Sequence, residues 1–231
     1  MLIEFKDISF QYRDTDTCVF KDITCQISGP GFHSLFGPSG VGKTTLAKML
    51  ARSVNGFSGE IMVQQIDNIL YSYNLERIPG WACVGEHLTE ITRASGEENR
   101  RDELIKSFGL RGCLDSRFSR LSMGQQNRVN LARYLLQEFD LLIMDESLAN
   151  VDEITKEKII LKIKAMFPGK CFLYISHNLA EVAKFCKQIL VLRDSAKTPQ
   201  MISIDGQNHM KGKPLDKKFL ERSMLEIVHA S

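Results

Sequence analysis

No apolar run in this chain of 231 residues approaches the ~18 that a membrane-spanning helix needs, so nothing in it is expected to cross a bilayer. The N-terminus places Glu4, Lys6 and Asp7 where a secretory leader would be apolar, and does not resemble one. Charge of one sign is equally scarce. A formal net charge of +2 gives no push toward nucleic acid, and none is expected as a partner. The six cysteines (Cys18, Cys25, Cys83, Cys113, Cys171, Cys186) are scattered without a C-x-x-C pair. Several lie in apolar stretches such as Cys171-Phe172-Leu173-Tyr174-Ile175, which points to free thiols in a reducing compartment. The chain therefore reads as cytosolic. Internal repeats and low-complexity linkers are missing as well. What remains is an ordinary globular composition, 43% hydrophobic and 25% charged, long enough for one substantial core and an appended lobe.

Against that background one stretch stands out. Gly37-Pro38-Ser39-Gly40-Val41-Gly42-Lys43-Thr44-Thr45 fits G-x-x-x-x-G-K-[ST], a loop whose successive N–H groups curl around an anion. Phe32-His33-Ser34-Leu35-Phe36 can form a strand before it, and residues 45–51 a helix after it whose positive end faces the phosphates. Lys43 would reach the β- and γ-phosphates of a purine nucleotide, and the Thr44 hydroxyl would take a position on Mg²⁺.

Period-two alternation marks two strands within residues 2–28, at Ile8, Phe10 and Tyr12 and again at Ile23, Cys25 and Ile27. Arg13-Asp14-Thr15-Asp16-Thr17 is the polar turn between them, and Glu60-Ile61-Met62-Val63 reads as a further strand. An N-terminal antiparallel layer beside the phosphate loop follows. From about residue 86 to 121 strand-like runs give way to charged sequence of mixed sign that suits solvated helices, a small inserted lobe. Later, Leu141-Leu142-Ile143-Met144, Phe172-Leu173-Tyr174-Ile175 and Ile189-Leu190-Val191-Leu192 alternate with helical stretches at 154–167 and 179–185. Short apolar runs separated by helices indicate a parallel sheet covered on both faces. An amphipathic helix is expected over residues 215–229. The fold class is thus α/β, a P-loop NTPase with a RecA-like parallel core. Residues 1–85 and 139–231 form the core with its antiparallel layer, and 86–138 a shortened helical subdomain.

Two further motifs carry chemistry. Asp140-Leu141-Leu142-Ile143-Met144-Asp145-Glu146 is a buried-strand pattern ending in two acids; Asp145 is placed to hold Mg²⁺ and Glu146 to polarise a water for attack on the γ-phosphate. In Leu121-Ser122-Met123-Gly124-Gln125-Gln126-Asn127-Arg128-Val129, Ser122 can cap a helix and offer a second anion-facing N-terminus, with Gly124 and Gln125 beside it.

That last run resembles the signature of ATP-binding-cassette (ABC) ATPases, usually written L-S-G-G-Q-Q-x-R-V, and its position ahead of the Asp145–Glu146 strand extends the resemblance over nearly the whole chain. The resemblance implies further roles. Tyr12 matches the aromatic that stacks on adenine; Asp152, closing Ser147-Leu148-Ala149-Asn150-Val151-Asp152, matches the acid of the loop that crosses to a partner subunit. His177, in Tyr174-Ile175-Ser176-His177-Asn178, looks like the switch histidine near the γ-phosphate. Also implied is a head-to-tail dimer, homo- or heteromeric, with ATP clamped between the phosphate loop of one subunit and Ser122, Gly124 and Gln125 of the other. Its opening and closing would drive transmembrane permease subunits, which places the chain at the cytoplasmic face of a membrane. The alternatives are a soluble, non-transport ABC ATPase and a regulatory cassette that binds ATP without turning it over. Two departures from the family pattern stand out. Met123 replaces the usual glycine, which implies weaker closure. The hinge glutamine expected within residues 80–88 is missing; Glu86 is the candidate in its place as a Mg²⁺ ligand, since Gln64 and Gln65 fall too early.

Overall fold

Residues 1–12, 17–74, 76 and 82–231 are described by the structure, a computed structural model. Arg13–Asp16 of the expected polar turn, and Gly80 and Trp81 of the expected hinge window, lie outside the described residues. The N-terminal alternation becomes β1 (Leu2–Gln11) and β2 (Cys18–Ser28), which pair antiparallel with Leu2 opposite Ser28 and Phe5 opposite Cys25. β3 (Gly31–Phe36) leads into the phosphate loop and α1 (Lys43–Leu50) leaves it. β4 (Ser58–Gln64) returns to the other edge of β1, closing a three-stranded antiparallel sheet of order β2-β1-β4. β5 (Ile69–Tyr73) then enters a second sheet.

The inserted lobe consists of α2 (Val84–Ser95), α3 (Glu98–Ser107) and α4 (Met123–Leu135), with two single 3₁₀ turns between α3 and α4. The chain goes on through β6 (Leu141–Asp145), α5 (Glu153–Met166), β7 (Cys171–Ile175), α6 (Leu179–Phe185) and β8 (Gln188–Leu192). It finishes with β9 (Met201–Asp205) and α7 (Lys217–Ala230). The second sheet has the order β5-β6-β7-β3-β8-β9; its first five strands are parallel and β9 runs antiparallel to β8, so the sheet is mixed rather than wholly parallel.

Strand alternation splits the hydrophobic interior in two. Phe32, Leu142, Met144, Phe172, Tyr174, Ile189 and Val191 face one way, into a cluster that also holds Leu88, Leu104, Phe108 and Leu131 of the helical lobe. Leu35, Leu141, Ile143, Leu173, Ile175 and Leu190 face the other way, joining Leu46 and Met49 of α1 to Ile3, Phe5 and Ile8 of the antiparallel layer. One sheet therefore fixes both the phosphate loop and the lobe. Among the described residues no helix is long and apolar enough to cross a membrane.

Candidate functional site

Parallel strands bring their C-terminal ends to one edge, where a doubly covered sheet opens its binding crevice. Here β3 delivers the loop 37–45, β6 ends at Asp145, and β5 pairs with β6 so that Tyr73 lies opposite Asp145. β7 places Ile175 opposite Asp145 from the other side, and Glu146 N donates to Ile175 O at 3.1 Å.

Within the loop, Lys43 is buried and its Nζ donates to the carbonyls of Gly37 (2.8 Å) and Pro38 (2.7 Å), which pulls the chain around the ammonium. Burial holds the Lys43 ammonium below its usual range, while the carboxylates of Glu146 and Asp145 push back upward. Gly37 has φ 150°, and a Cβ there would sit 2.2 Å from the carbonyl oxygen of Leu192, so only glycine fits. Pro38, Ser39 and Gly40 are exposed, Val41 half-buried, and Gly42 stands at the N-cap of α1.

Whether the site suits a nucleotide and a hard cation is decided by its donors. α1 starts without a side-chain cap and without an acid in its first turn, whereas α2, α4, α5, α6 and α7 are each capped by a side chain. Its leading N–H groups are thus left for an anion. The Thr44 hydroxyl donates to Asp145 Oδ2 at 2.8 Å, and the Tyr71 hydroxyl donates to the same oxygen at 2.7 Å. A carboxylate and a hydroxyl in contact form the oxygen set on which Mg²⁺ is held together with substrate phosphates, so the residues fit that ion. Burial and the bonded Asp145 carboxylate push the Tyr71 hydroxyl's pKa well up, keeping it a donor.

Glu146 takes a left-handed backbone conformation, φ 52°, directly after β6, and its Oε1 is in contact with His177 Nε2. His177 lies in a turn that is tied down by hydrogen bonds of its neighbours. Ser176 Oγ donates to Glu181 Oε2 (3.0 Å), Asn178 N donates to Ser176 Oγ (3.1 Å), and Tyr174 hydroxyl donates to Glu181 (2.7 Å). Tyr12 is bonded through its hydroxyl to Thr45 Oγ1 at 2.7 Å, and its ring meets Phe10 edge-on with centroids 4.9 Å apart.

Ser122 caps α4 in a reciprocal box: its Oγ accepts from Gln125 N (3.3 Å) and Gln125 Oε1 accepts from Ser122 N (2.9 Å). The box uses an acceptor of each side chain and does not use the Ser122 O–H or the Gln125 amide N–H groups, donors of the kind an anion takes. Met123 is 54% exposed on this turn. Gly124 packs against the next loop so tightly that a Cβ would lie 2.3 Å from the carbonyl oxygen of Asn150. Asp152 caps α5 by accepting from Thr155 N at 2.9 Å, and that bond holds its carboxyl below the usual range.

Glu86 requires a correction. It is the third residue of α2, its Oε2 accepts from Cys83 N at 2.9 Å, and it lines a groove on the helical lobe apart from the Asp145 cleft. That backbone bond depresses its pKa, and the structure does not bring it to the metal position. Asn74, which follows β5, donates its N–H to Asp145 O at 3.1 Å and lines a cleft of about 590 Å³ with Thr44, Tyr71, Asp145 and Glu146. Sequence reasoning missed Asn74 and Tyr71 because β5 was not recognised; the spacing of Tyr71 and Tyr73 is the signal that could have found them.

The chain is similar to several known proteins. The family model described as ABC transporter matches residues 20–149. The aliphatic sulfonates import ATP-binding protein SsuB 1 of Rhodococcus jostii is 31% identical over 85% of this chain and 81% of its own. The zinc transport system ATP-binding protein TroB of Treponema pallidum is 29% identical over 82% of this chain and 77% of its own. The macrolide export ATP-binding/permease protein MacB of Syntrophobacter fumaroxidans is 29% identical over 96% of this chain, which spans only 35% of that longer protein. Among solved structures, a bacterial Atm1-family ABC exporter with ATP bound superposes with a TM-score of 0.74 at 19% identity, over 99% of this chain and 41% of the other, a likeness of fold.

Proposed function

The chain belongs to the ABC transporter family as an ATP-binding subunit that hydrolyses ATP in a membrane transporter, and from that premise we propose how its residues divide the work. One nucleotide is held between the loop 37–45 of one subunit and Ser122, Gly124 and Gln125 of a second subunit placed head to tail. Tyr12 stacks on the base. Lys43 and the N–H groups of the loop and of α1 hold the β- and γ-phosphates, with Thr44 and Asp145 as ligands of Mg²⁺ and Tyr71 orienting the Asp145 carboxylate. When bound, Mg²⁺ would neutralise charge on the phosphates. Glu146 takes the proton of the attacking water, and His177 keeps the Glu146 carboxylate aimed. Asn74 takes the hinge position. The second subunit is another copy of this chain or a related cassette, Asp152 lies on the loop that reaches it, and permease subunits hold the pair at the cytoplasmic face. Relatives named for import and for export both resemble the chain, so neither direction nor cargo follows from them.

The observation that carries this reading is the arrangement at two separate helix starts: an α1 without a side-chain cap beside Lys43, and an α4 whose reciprocal cap does not use the Ser122 O–H or the Gln125 amide N–H groups. Residues 122–125 do not line the cleft at Asp145, so those donors suit a nucleotide held by another subunit. In Glu146→Gln, steady-state hydrolysis should fall by about a hundredfold or more while ATP binding persists and ATP-dependent dimers accumulate. Hydrolysis at the wild-type rate in that variant would remove Glu146 from its role.

A further inference from the structure

We propose, on the basis of the role given to His177 above, that Glu181 is a positioning residue for hydrolysis: its buried carboxylate, held by Lys156 of α5, fixes the turn that presents His177 to Glu146. Glu181 stands in the first turn of α6 and is 7% exposed, a place a charge tolerates only when its oxygens are bonded. Both oxygens are used here. Oε1 accepts from Lys156 Nζ (2.6 Å), and Oε2 accepts from the hydroxyls of Tyr174 (2.7 Å) and Ser176 (3.0 Å). Burial and the charge of Glu181 push the Tyr174 hydroxyl's pKa well up, which keeps it a donor to that carboxylate.

The bonds reach His177 from both sides. Ser176 Oγ, which donates to Glu181, also accepts from Asn178 N at 3.1 Å, and Asn178 Oδ1 caps α6 by accepting from Glu181 N at 3.2 Å. His177 therefore lies between two residues that are each tied to Glu181, one through its carboxylate and one through its backbone. The imidazole itself is half exposed and meets Glu146, so its direction follows from the backbone that carries it.

Glu181 is in turn placed by Lys156. That residue lies one helical turn beyond Asp152, whose carbonyl oxygen accepts from Lys156 N at 2.9 Å. The helix capped by Asp152 and the turn that carries His177 are thus referenced to one buried ion pair. A second pair joins the same two helices, Lys184 with Glu157 at 2.8 Å, but it is more exposed and lies further along α6. An exposed pair of that kind contributes little, which makes it the control for the first.

Steady-state hydrolysis by the full chain reads the role. Glu181→Gln should lower kcat roughly tenfold or more while KM for Mg-ATP stays within about twofold, since the loop 37–45 is not touched. In a His177→Ala background the same substitution should lower kcat no further. Losses that multiply would mean that Glu181 acts by another route, and would overturn the proposal. Glu157→Gln should leave kcat near the parent value; an equal loss there would reduce the effect to loosened packing of α5 on α6 and overturn it too. If His177→Ala alone turns over at the parent rate, the role given to His177 falls first and takes this one with it. NMR of the histidine rings answers without turnover. His177 is one of five histidines and is assigned by its loss in His177→Ala; its ring signals should move in Glu181→Gln and stay in place in Glu157→Gln. Should Glu181→Gln not fold, Ser176→Ala removes the hydroxyl bridge to the carboxylate and must show the same dependence on His177. Ring signals that do not move in whichever of these two variants folds overturn the proposal.

Discussion

At position 124 a single methyl group separates a working contact from a broken one. Gly124 approaches the Asn150 carbonyl so closely that an added Cβ would stand at 2.3 Å, and the obstacle is backbone. Overpacking of this kind costs about 1–3 kcal/mol, and here it must push the start of α4 away from the loop that carries Asp152. Gly124→Ala should lower the melting temperature and abolish ATP-dependent dimerisation, while the affinity of the monomer for ATP stays within about twofold, since the loop 37–45 is untouched. Size exclusion with and without ATP, beside a binding titration, checks it. Tyr71 tests a subtler effect. Its hydroxyl and that of Thr44 share Asp145 Oδ2, so Tyr71→Phe leaves the carboxylate with one donor. A hydrogen bond to a charged group is worth about 1.5–3 kcal/mol, so the Mg²⁺ concentration for half-maximal hydrolysis should shift roughly tenfold. An unshifted Mg²⁺ dependence would deny Tyr71 a part in holding Asp145.

β3 shows how an element can carry a cost that its sequence pattern conceals. His33 stands in this buried strand between β7 and β8 with no exposed surface, and among its ring atoms Nδ1 has no partner. Desolvation lowers its pKa from 6.5 to about 4, the Gly29 carbonyl acting against that and the Lys187 charge with it. The unfolded chain therefore binds a proton between pH 6.5 and 4 that the folded chain refuses, and stability falls as pH drops through that window. A displacement of that size is worth on the order of 3 kcal/mol. In urea titrations at pH 7, 5.5 and 4.5, His33→Leu should lose less stability on acidification than the parent; equal slopes would refute the burial argument. The same strand illustrates what a sequence makes legible. β6, β7 and β8 are buried on both faces and read as unbroken apolar runs, so their positions follow from composition alone. β5 and β9 lie at the two edges of the sheet, are largely half-buried or exposed, and give no such run. Missing β5 moved the search for the hinge residue downstream to Glu86, whose bond to Cys83 N is that of a helix cap. Lys43, Thr44, Asp145 and Glu146 were legible because each sits at a fixed offset from a strand end; Tyr71 and Asn74 depend on a neighbouring strand's register, which no local pattern encodes.

For the whole molecule the governing fact is that both faces of one sheet are committed. One face carries α1 and the antiparallel layer, the other the helical lobe, so the phosphate loop and Ser122 are set on a common frame. In the head-to-tail arrangement proposed above, a chain built this way completes no site alone. If two copies pair head to tail, each site takes Lys43 from one copy and Ser122 from the other, and defects at those two residues can complement. Lys43→Ala and Ser122→Arg should each be inactive as pure samples. Mixed in equal amounts, they form dimers in which one site bears both defects and the other bears neither. Random pairing puts about half of all dimers in that state, so hydrolysis should recover to about one quarter of the parent rate if sites fire independently. Recovery that rises and falls with the mixing ratio would fix the partner as a second copy of this chain. No recovery at any ratio, with both variants folded and the parent active under the same conditions, would mean that the partner is a different cassette or that one intact site cannot fire alone. Size exclusion with Glu146→Gln present separates these: a partner of a different kind predicts that this chain stays monomeric with ATP, and strict coupling predicts a dimer that forms and does not turn over.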